Sequence, residues 1–525
     1  MAMHLLLNKR FSRIILIAGS VVVLILLGGI WSTHPGIRDN GAGLGRNLPW
    51  GLGRPSTKNE DQEPPYYPHE TTSQFFPVSM DIAGKKAKDL CASFPHYMTQ
   101  RIQPVLKMGH GEKRDKIEAQ LDSTSACFTQ EELLIFSDLD ETIRDRAVID
   151  ILADLPESYR SDNVDFENYL TMLEMRRNGT LDVDKEGMAK INGWRLDKYK
   201  FLPGVERAWA MRPGRDWYVF YETDTYVVWD NMFRFLSTLD PSKPLYMGSP
   251  SPGRMDEEKQ FKTMFANGGP GYILSRAAVE KLLERRVGSD GRFVDEPLEL
   301  KWLDLLRKDC CGDSVMGWVL YNLGIEVQGY WPMFNPHALH NVPYSDLYWC
   351  QPVLTLHKTT PASMPDLWRW EHSRRRMQKP LLYQDLFEFH HPGTPARLES
   401  HDNGGWAEFK PPEEPKIETI DACEKACLAS DRCLQYLWKG SEVKECVLMF
   451  QIRYGTPRKP EVITGPQPEV VMEADGVTPK KEQPKPLQAK VDFTSGWMVD
   501  RIEAWKRERT CEVIQWVGPS TKRIY

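Results

Sequence analysis

The sequence predicts an α/β protein, and three observations lead there. Runs of aliphatic and aromatic residues recur at strand length, notably Leu133–Phe136, Trp217–Tyr221 and Leu245–Met247. Stretches with helical spacing of apolar residues lie between them, the pattern of a sheet covered on both faces. Two of the runs end in carboxylates, at Asp138 and at Glu222-Thr223-Asp224. The crevice that takes a ligand opens at the carboxyl ends of the strands in such sheets.

The chain has 525 residues, enough for about two to four units. A formal net charge of -6 provides no global basic field, so no nucleic-acid partner is expected. Ile14–Trp31 is an uncharged apolar run of about the length that crosses a bilayer once. Lys9, Arg10 and Arg13 precede it and the next basic residue is Arg38. This charge bias puts residues 1–13 in the cytosol and everything after Trp31 in the lumen, as in a type II signal-anchor protein. A cleaved signal peptide is the alternative; its apolar core is usually shorter, and no small-x-small site follows Ile30. Either way the body meets an oxidising compartment, where ten cysteines are free to pair. The sequon Asn178-Gly179-Thr180 is a glycosylation site on that side of the membrane.

Residues 32–88 are rich in Gly, Pro and polar residues and read as a stem. The body spans 89–395. Its first strand is Arg101–Lys107, where Pro104 argues for an edge position or an irregular start. Leu133–Asp138 is the second, and 144–200 is charged and mostly helical in pattern. Trp217–Tyr221 and Leu245–Gly248 are the third and fourth strands. After Asn267-Gly268-Gly269-Pro270-Gly271, a helix is predicted from Arg276 to Val287, capped by Ser275 and ended by Gly288. Another follows Gly312-Asp313-Ser314 and ends at Gly324. Residues 396–460 differ, with the spacing C-x3-C-x5-C-x12-C at Cys423, Cys427, Cys433 and Cys446. In a lumenal chain this is a small disulfide-stapled module; without an accompanying His a metal site fits less well. Residues 461–495 are rich in Pro, Lys and Glu and read as a flexible linker. The aromatics of 496–525 predict a tail that packs back on the body.

The chemistry rests on carboxylates. Acid-x-acid at Glu222 and Asp224 suits a hard divalent cation that in turn holds a phosphate, although such triplets also occur as plain acidic turns. Asp138-x-Asp140-x-Thr142 after an apolar strand matches the first motif of haloacid dehalogenase-like phosphatases. That match makes Asp138 a nucleophile and Asp140 an acid/base beside Mg²⁺. It accounts for neither the acid-x-acid triplet nor the glycine run.

Five motifs in order account for more: Phe136-Ser137-Asp138, Glu222-Thr223-Asp224, Asn267–Arg276, Gly312–Gly317 and Leu356-His357-Lys358. Together, over roughly residues 89–360, they resemble the fringe-like glycosyltransferases of family 31. The resemblance implies a GT-A fold, a nucleotide-diphospho-sugar transferase sheet that uses a UDP-sugar donor and Mn²⁺. By the family pattern Asp224 and His357 ligate the metal, and Asp313 is the catalytic base. Asp138, Glu222, Thr223, Gly268 and Gly269 lie on the donor side. Two positions depart from the family: Thr223 stands where Asp is common, and Gly312 replaces an acidic residue before the base. The local alternative for Asp313 is a helix N-cap. Arg101 and Lys107 read as solvated charges, with contact to the nucleotide near the first strand as the alternative. The four-cysteine segment resembles a PAN/Apple module, which implies the pairs Cys423–Cys446 and Cys427–Cys433 and a carbohydrate or protein ligand. Cys91–Cys127 is the pair expected in the body. Cys310, Cys311, Cys350 and Cys511 have no assigned partners.

The resulting expectation is a single-pass Golgi membrane enzyme. It moves a hexose or N-acetylhexosamine, with inversion and in β1,3 linkage, to a glycan or glycoprotein. A lumenal phosphatase and an inactive carbohydrate-binding membrane protein are the alternatives.

Overall fold

The computed structural model describes residues 72–75, 82–374, 378–390, 393–405, 408–412, 416–464 and 488–522. The expected cytoplasmic tail, the span at 14–31, most of the stem and residues 465–487 of the expected linker lie outside them. No helix among the described residues is long and apolar enough to cross a membrane.

The body is a mixed α/β fold. Its strands in chain order are β1 (Ile102–Lys107), β2 (Leu134–Ser137), β3 (Glu141–Ile143), β4 (Arg146–Asp150), β5 (Trp217–Glu222), β6 (Tyr226–Val227), β7 (Tyr246–Gly248), β8 (Pro250–Asp256), β9 (Phe261–Ala266), β10 (Tyr272–Ser275), β11 (Val327–Gly329), β12 (Phe334–Asn335) and β13 (Thr355–Leu356). Eight form the central sheet in the order β11-β7-β10-β5-β1-β2-β4-β3. β5, β1, β2 and β4 run parallel, whereas β10 runs antiparallel between β5 and β7.

The sheet divides two apolar cores. Trp217, Val219 and Tyr221 of β5 enter one, with Leu106, Ile135 and the helix Trp229–Ser237. Tyr218 and Phe220 enter the other, with Val105, Leu134 and the helices Phe201–Met211 and Gly312–Asn322. Burial on both faces explains why this strand is apolar throughout instead of alternating.

Four local expectations are corrected. Pro104 is not at an edge; β1 is central, paired with β5 along its whole length. The β2 ladder starts only at Val105. Just before it, the Gln103 side-chain amide donates to the carbonyls of Pro104 and Glu132 (2.8 and 2.9 Å), a substitute for ladder bonds. The stretch 144–200 is not all helical, because Arg146–Asp150 forms β4. The helix after Ser275 stops at Leu283, with Glu284 already extended, so Gly288 does not end it. Ser275 does cap it, accepting from Ala278 N–H. Strand Phe493–Trp497 crosses the boundary placed between linker and tail.

That strand lies in the disulfide-rich C-terminal region. A five-stranded sheet there has the order Arg397–Glu399, Phe493–Trp497, Gln435–Lys439, Glu445–Met449, Glu408–Phe409, with helix Ile420–Ala429 beside it. Cys423–Cys446 and Cys427–Cys433 tie the helix to the sheet region. In the body, Cys91 pairs with Cys127 and the adjacent Cys310 and Cys311 pair with each other. Cys350–Cys511 binds the tail to the body, and Trp497, Ile502 and Trp505 join the core that holds Trp349 and Phe387. No cysteine is free, a condition that belongs to the secretory pathway.

Glu206 on the helix Phe201–Met211 carries a pH-dependent load. Burial first, then the neighbouring Glu299 carboxylate, pushes it up to about 7, against the pull of Arg285. A raised carboxyl stabilises the fold only while protonated. Its contribution is complete below the ordinary value of 4.5 and is lost as pH rises through about 7. Glu206→Gln is therefore expected to raise the melting temperature at about pH 8 and to leave it nearly unchanged at about pH 5, read from melting curves at both values.

Candidate functional site

The site lies where β1, β2 and β5 end. Register pairs Lys107, the last residue of β1, with Glu222 of β5 on one side and Phe136 of β2 on the other. Lys107 is buried, and its Nζ bridges Asp197 Oδ1 (2.5 Å) and Glu222 Oε1 (3.0 Å) while lying over the Phe201 ring. Burial alone would lower its pKa, but the two carboxylates hold it above the ordinary lysine value. Lys107 is thus no solvated charge. Arg101 is one, paired at the surface with Asp216.

The acidic turn after β5 is fixed from several sides. Glu222 N–H donates to Thr225 Oγ1 (3.0 Å), whose own hydrogen goes to the Gly269 carbonyl (2.6 Å). Thr359 N–H donates to the Asp224 carbonyl (3.0 Å). A second, three-stranded sheet supplies the remaining reach. β13 pairs antiparallel with β6, Leu356 opposite Tyr226, and this brings His357 to the acidic turn. His357 Nε2 stands 3.5 Å from Asp224 Oδ1.

Gly269 makes that approach sterically feasible. A Cβ there would lie 2.1 Å from His357 Cε1. Gly268 is similarly constrained, since a Cβ would meet Phe201 Cζ at 2.9 Å. Its N–H donates to Asp313 Oδ2 at 2.9 Å. Gly271 completes the turn with φ +83, a region favourable to glycine.

Asp313 stands in the first turn of Gly312–Asn322, where Cys311 takes the N-cap position. The N-cap reading of Asp313 is corrected by one turn geometry: its Oδ1 accepts from Ser314 N–H (2.9 Å) and its Oδ2 reaches across to Gly268. Burial raises its pKa, against those two N–H donors and Lys107. Gly312 also has a steric reason. A Cβ would sit 2.3 Å from the Phe201 ring and 2.6 Å from the Lys198 carbonyl, so no acidic side chain fits there.

These groups border a cavity of about 430 Å³, whose wall includes Glu222, Gly268, Gly269 and Asp313. Asp224 and His357 adjoin it through Glu222 and Gly269. Asp138 does not reach it. It is 1% exposed; His110 N–H donates to its Oδ1 (2.7 Å) and Lys200 Nζ to its Oδ2 (2.8 Å). Burial would raise its pKa, but the Lys200 ammonium and the hydrogen bonds hold it below the ordinary value. Asp138 therefore positions Lys200, which does line the cavity. A sealed carboxylate is not open to phosphate, so Asp138 is not placed as the nucleophile of the phosphatase motif, while Asp140 Oδ1 accepts from Asp150 N–H. Thr223 is also buried, and its hydroxyl donates to Glu112. Glu112 lines the cavity and pairs with Lys116 (3.0 Å), which stands 3.5 Å from Asp224 Oδ2. Asn178 is exposed at the end of helix Val164–Arg177, clear of these groups.

The residues present fit a divalent cation. One ligand atom from each of Glu222, Asp224 and His357 lies within 4.8 Å of the others. Asp224 Oδ1 is buried with no hydrogen-bond partner among the described residues. Burial keeps the pKa of His357 below its ordinary value despite Asp224, so the imidazole is neutral, the form that ligates. Oxygen and nitrogen donors in this mix suit Mn²⁺.

Sequence comparison falls on this same segment. Residues 199–357 match the Fringe-like family. Within the body, this segment is similar to Fringe-like domains. That family is one of enzymes. A fringe glycosyltransferase of Drosophila melanogaster is 26% identical over 123 residues, 22% of this chain and 27% of the fly protein. The shared stretch thus spans about a quarter of the fly protein's length. The Fringe-like match encloses Glu222, Thr223, Asp224, Gly268, Gly269, Asp313 and His357 and excludes Asp138. Sequence reasoning missed Thr225, Lys116, Glu112 and Asp197. Thr225 had a readable signal, since a hydroxyl residue directly after an acidic turn often bonds back to its backbone.

Gly269→Ala tests the steric core of the site. The chain is expected to melt at a lower temperature, because the added Cβ overpacks His357, and to bind Mn²⁺ about 10–100-fold more weakly, because His357 is displaced. Titration of free Mn²⁺ by electron paramagnetic resonance reads this; unchanged affinity would remove His357 from the ligand set.

Proposed function

We propose that this chain transfers a hexose or N-acetylhexosamine from a UDP-sugar to a hydroxyl of a glycan or glycoprotein, with inversion and in β1,3 linkage. The observation that carries the reading is the coincidence of the Fringe-like match with the Glu222, Asp224 and His357 cluster and with Asp313 beside it. The mixed sheet with its site at the carboxyl ends of β1 and β5 is consistent with a GT-A fold.

In this reading Asp313 is the base. Its Oδ atom takes the proton of the acceptor hydroxyl as that oxygen forms a bond to the anomeric carbon. The bond from the anomeric carbon to the donor phosphate oxygen breaks, and its electron pair leaves with UDP. The raised pKa of Asp313 makes it a stronger base than an exposed carboxylate. The N–H groups of Gly268 and Ser314 fix its direction. Lys107 holds Glu222 in place, and Lys116 and Lys200 bring positive charge to the cavity wall where a diphosphate would lie. A divalent cation at Glu222, Asp224 and His357 would neutralise charge on the leaving diphosphate.

The setting belongs to the same proposal. A span at 14–31 makes the chain a type II Golgi membrane protein with its body in the lumen. The C-terminal region acts as a PAN/Apple-like module with a carbohydrate or protein ligand. The two disulfides and the helix laid on its sheet support that reading.

Incubation with a panel of UDP-sugars and Mn²⁺ is expected to release UDP, and EDTA to stop the release. Asp224→Ala and Asp313→Ala are each expected to lower transfer by about 100-fold or more. No turnover of any UDP-sugar on a broad acceptor panel would overturn the proposal. The acidic limb of the rate profile is expected to lie above that of an exposed aspartate. Activity is lost as pH falls through the raised pKa of Asp313, and a limb at or below the ordinary value of 3.8 would exclude it as the base.

A further inference from the structure

The cavity wall carries two kinds of surface. Glu222, Lys116 and Lys200 are ionic. Trp194, Ile191 and the Cys310–Cys311 disulfide, which is joined directly to Gly312 and Asp313, are apolar. Trp194 is 65% exposed. Trp, with a large apolar face and one N–H, is enriched at binding interfaces.

Its direction is set by the chain. Trp194 opens the short helix Trp194–Asp197, and residues i and i+3 share a helix face. Asp197, on that face, lines the cavity and pairs with Lys107. Leu196, on another face, is fully buried and holds the turn down. The next residue, Lys198, fastens the turn to the disulfide loop. Its Nζ donates to the carbonyls of Arg307 (3.3 Å) and Asp309 (3.0 Å). The Asp309 side chain in turn accepts from Cys311 N–H (3.1 Å) and pairs with Arg254. Trp194 and the disulfide are therefore tied to one framework and line the same cavity as Asp313.

Beyond them lies a shallow groove of about 460 Å³ that shares Ile191 with the cavity and is lined by Asn168, Lys190, Asn192 and Arg195. Amides and cations beside an apolar surface match the chemistry of a sugar, which has C–H faces and a hydroxyl rim.

We infer that Trp194 and the Cys310–Cys311 disulfide form the acceptor platform of the site, taking the C–H face of a pyranose ring whose hydroxyl points at Asp313, with further sugar units running into the Asn168–Asn192 groove. The assignment to the acceptor rests on the transferase reading. The affinity for a pyranose does not, and the two are tested separately.

The probes are methyl β-galactopyranoside, methyl β-N-acetylglucosaminide and methyl α-mannopyranoside, each offered to the full chain by saturation-transfer NMR. At least one is expected to bind and to show transfer concentrated on one ring face. Trp194→Ala is expected to weaken that binding about tenfold and Trp194→Phe to restore most of it. The side chain is exposed, so an unchanged melting curve is expected as well. Binding unaltered by Trp194→Ala, or UDP-sugar turnover with none of the three pyranosides bound, would overturn the platform. Trp194-dependent pyranoside binding without any use of a UDP-sugar would instead sink the transferase reading and leave a sugar-binding cavity.

Discussion

The constraint on which the site depends is the contact between Gly269 and His357. Everything the site can do with a cation depends on an imidazole from β13 reaching a carboxylate that follows β5, more than a hundred residues earlier in the chain. The reach is made by two-residue strands, β6 and β13, whose few ladder bonds could not define a position alone. The position is defined by space. His357 occupies the volume that any side chain at Gly269 would fill, and Thr225 ties the Gly269 carbonyl back to the acidic turn. One glycine thus couples the glycine loop, the acidic turn and the distal histidine into a single packed unit. The same logic recurs at Gly312 against Phe201.

Electrostatics then decides what this packed unit costs. Asp138, Glu222 and Asp313 are carboxylates withdrawn from water at one end of a sheet, and unpaired they would destabilise the fold. Two lysines offset this. Lys200 neutralises Asp138 in a pair that is 1% exposed on both sides, and removing either partner of such a pair costs about 3–5 kcal/mol. Lys107 is shared between Asp197 and Glu222. Asp313 is met by backbone N–H donors and a more distant Lys107, and Asp224 Oδ1 has no hydrogen-bond donor among the described residues. In the proposed reading these are the groups that take a proton and a cation.

Much of the fold was legible because burial writes itself into composition. Trp217–Tyr221 announced a strand covered on both faces, and Ser275 announced a helix start. β4 was hidden by Arg144, Asp145 and Arg146, charges tolerated because only the short β3 lies beyond it in the sheet. Pro104 misled because the rule for prolines in strands concerns a missing N–H, and here the Gln103 side chain covers the place where the ladder has not begun. In the site, the acid-x-acid triplet was visible from its strand, whereas nothing local singled out His357. Its role emerges only from the order of motifs and from the pairing of β13 with β6. Asp138 looked like a ligand because it ends a strand, as ligands do; the sequence could not say that Lys200, more than sixty residues on, would cover it. Cys310–Cys311 was equally silent, since adjacent cysteines enclose no loop whose closure would betray a pair.

The disulfides show how the outer parts of the chain bear on the site. Cys350–Cys511 fastens the tail to the body, and beyond it Ser520 N–H donates to the Gly329 carbonyl (2.7 Å) of β11. β11 is the edge of the central sheet, and an open edge is a template for unwanted pairing. The tail therefore closes that edge with backbone hydrogen bonding. It also places Trp516 against Phe235 of the helix that packs beneath β5. A segment contributed from the far end of the chain thus supports the strand that delivers Glu222 and Asp224. The site is built at one end of the sheet, but part of its support comes from the β11 edge and from the tail that meets it.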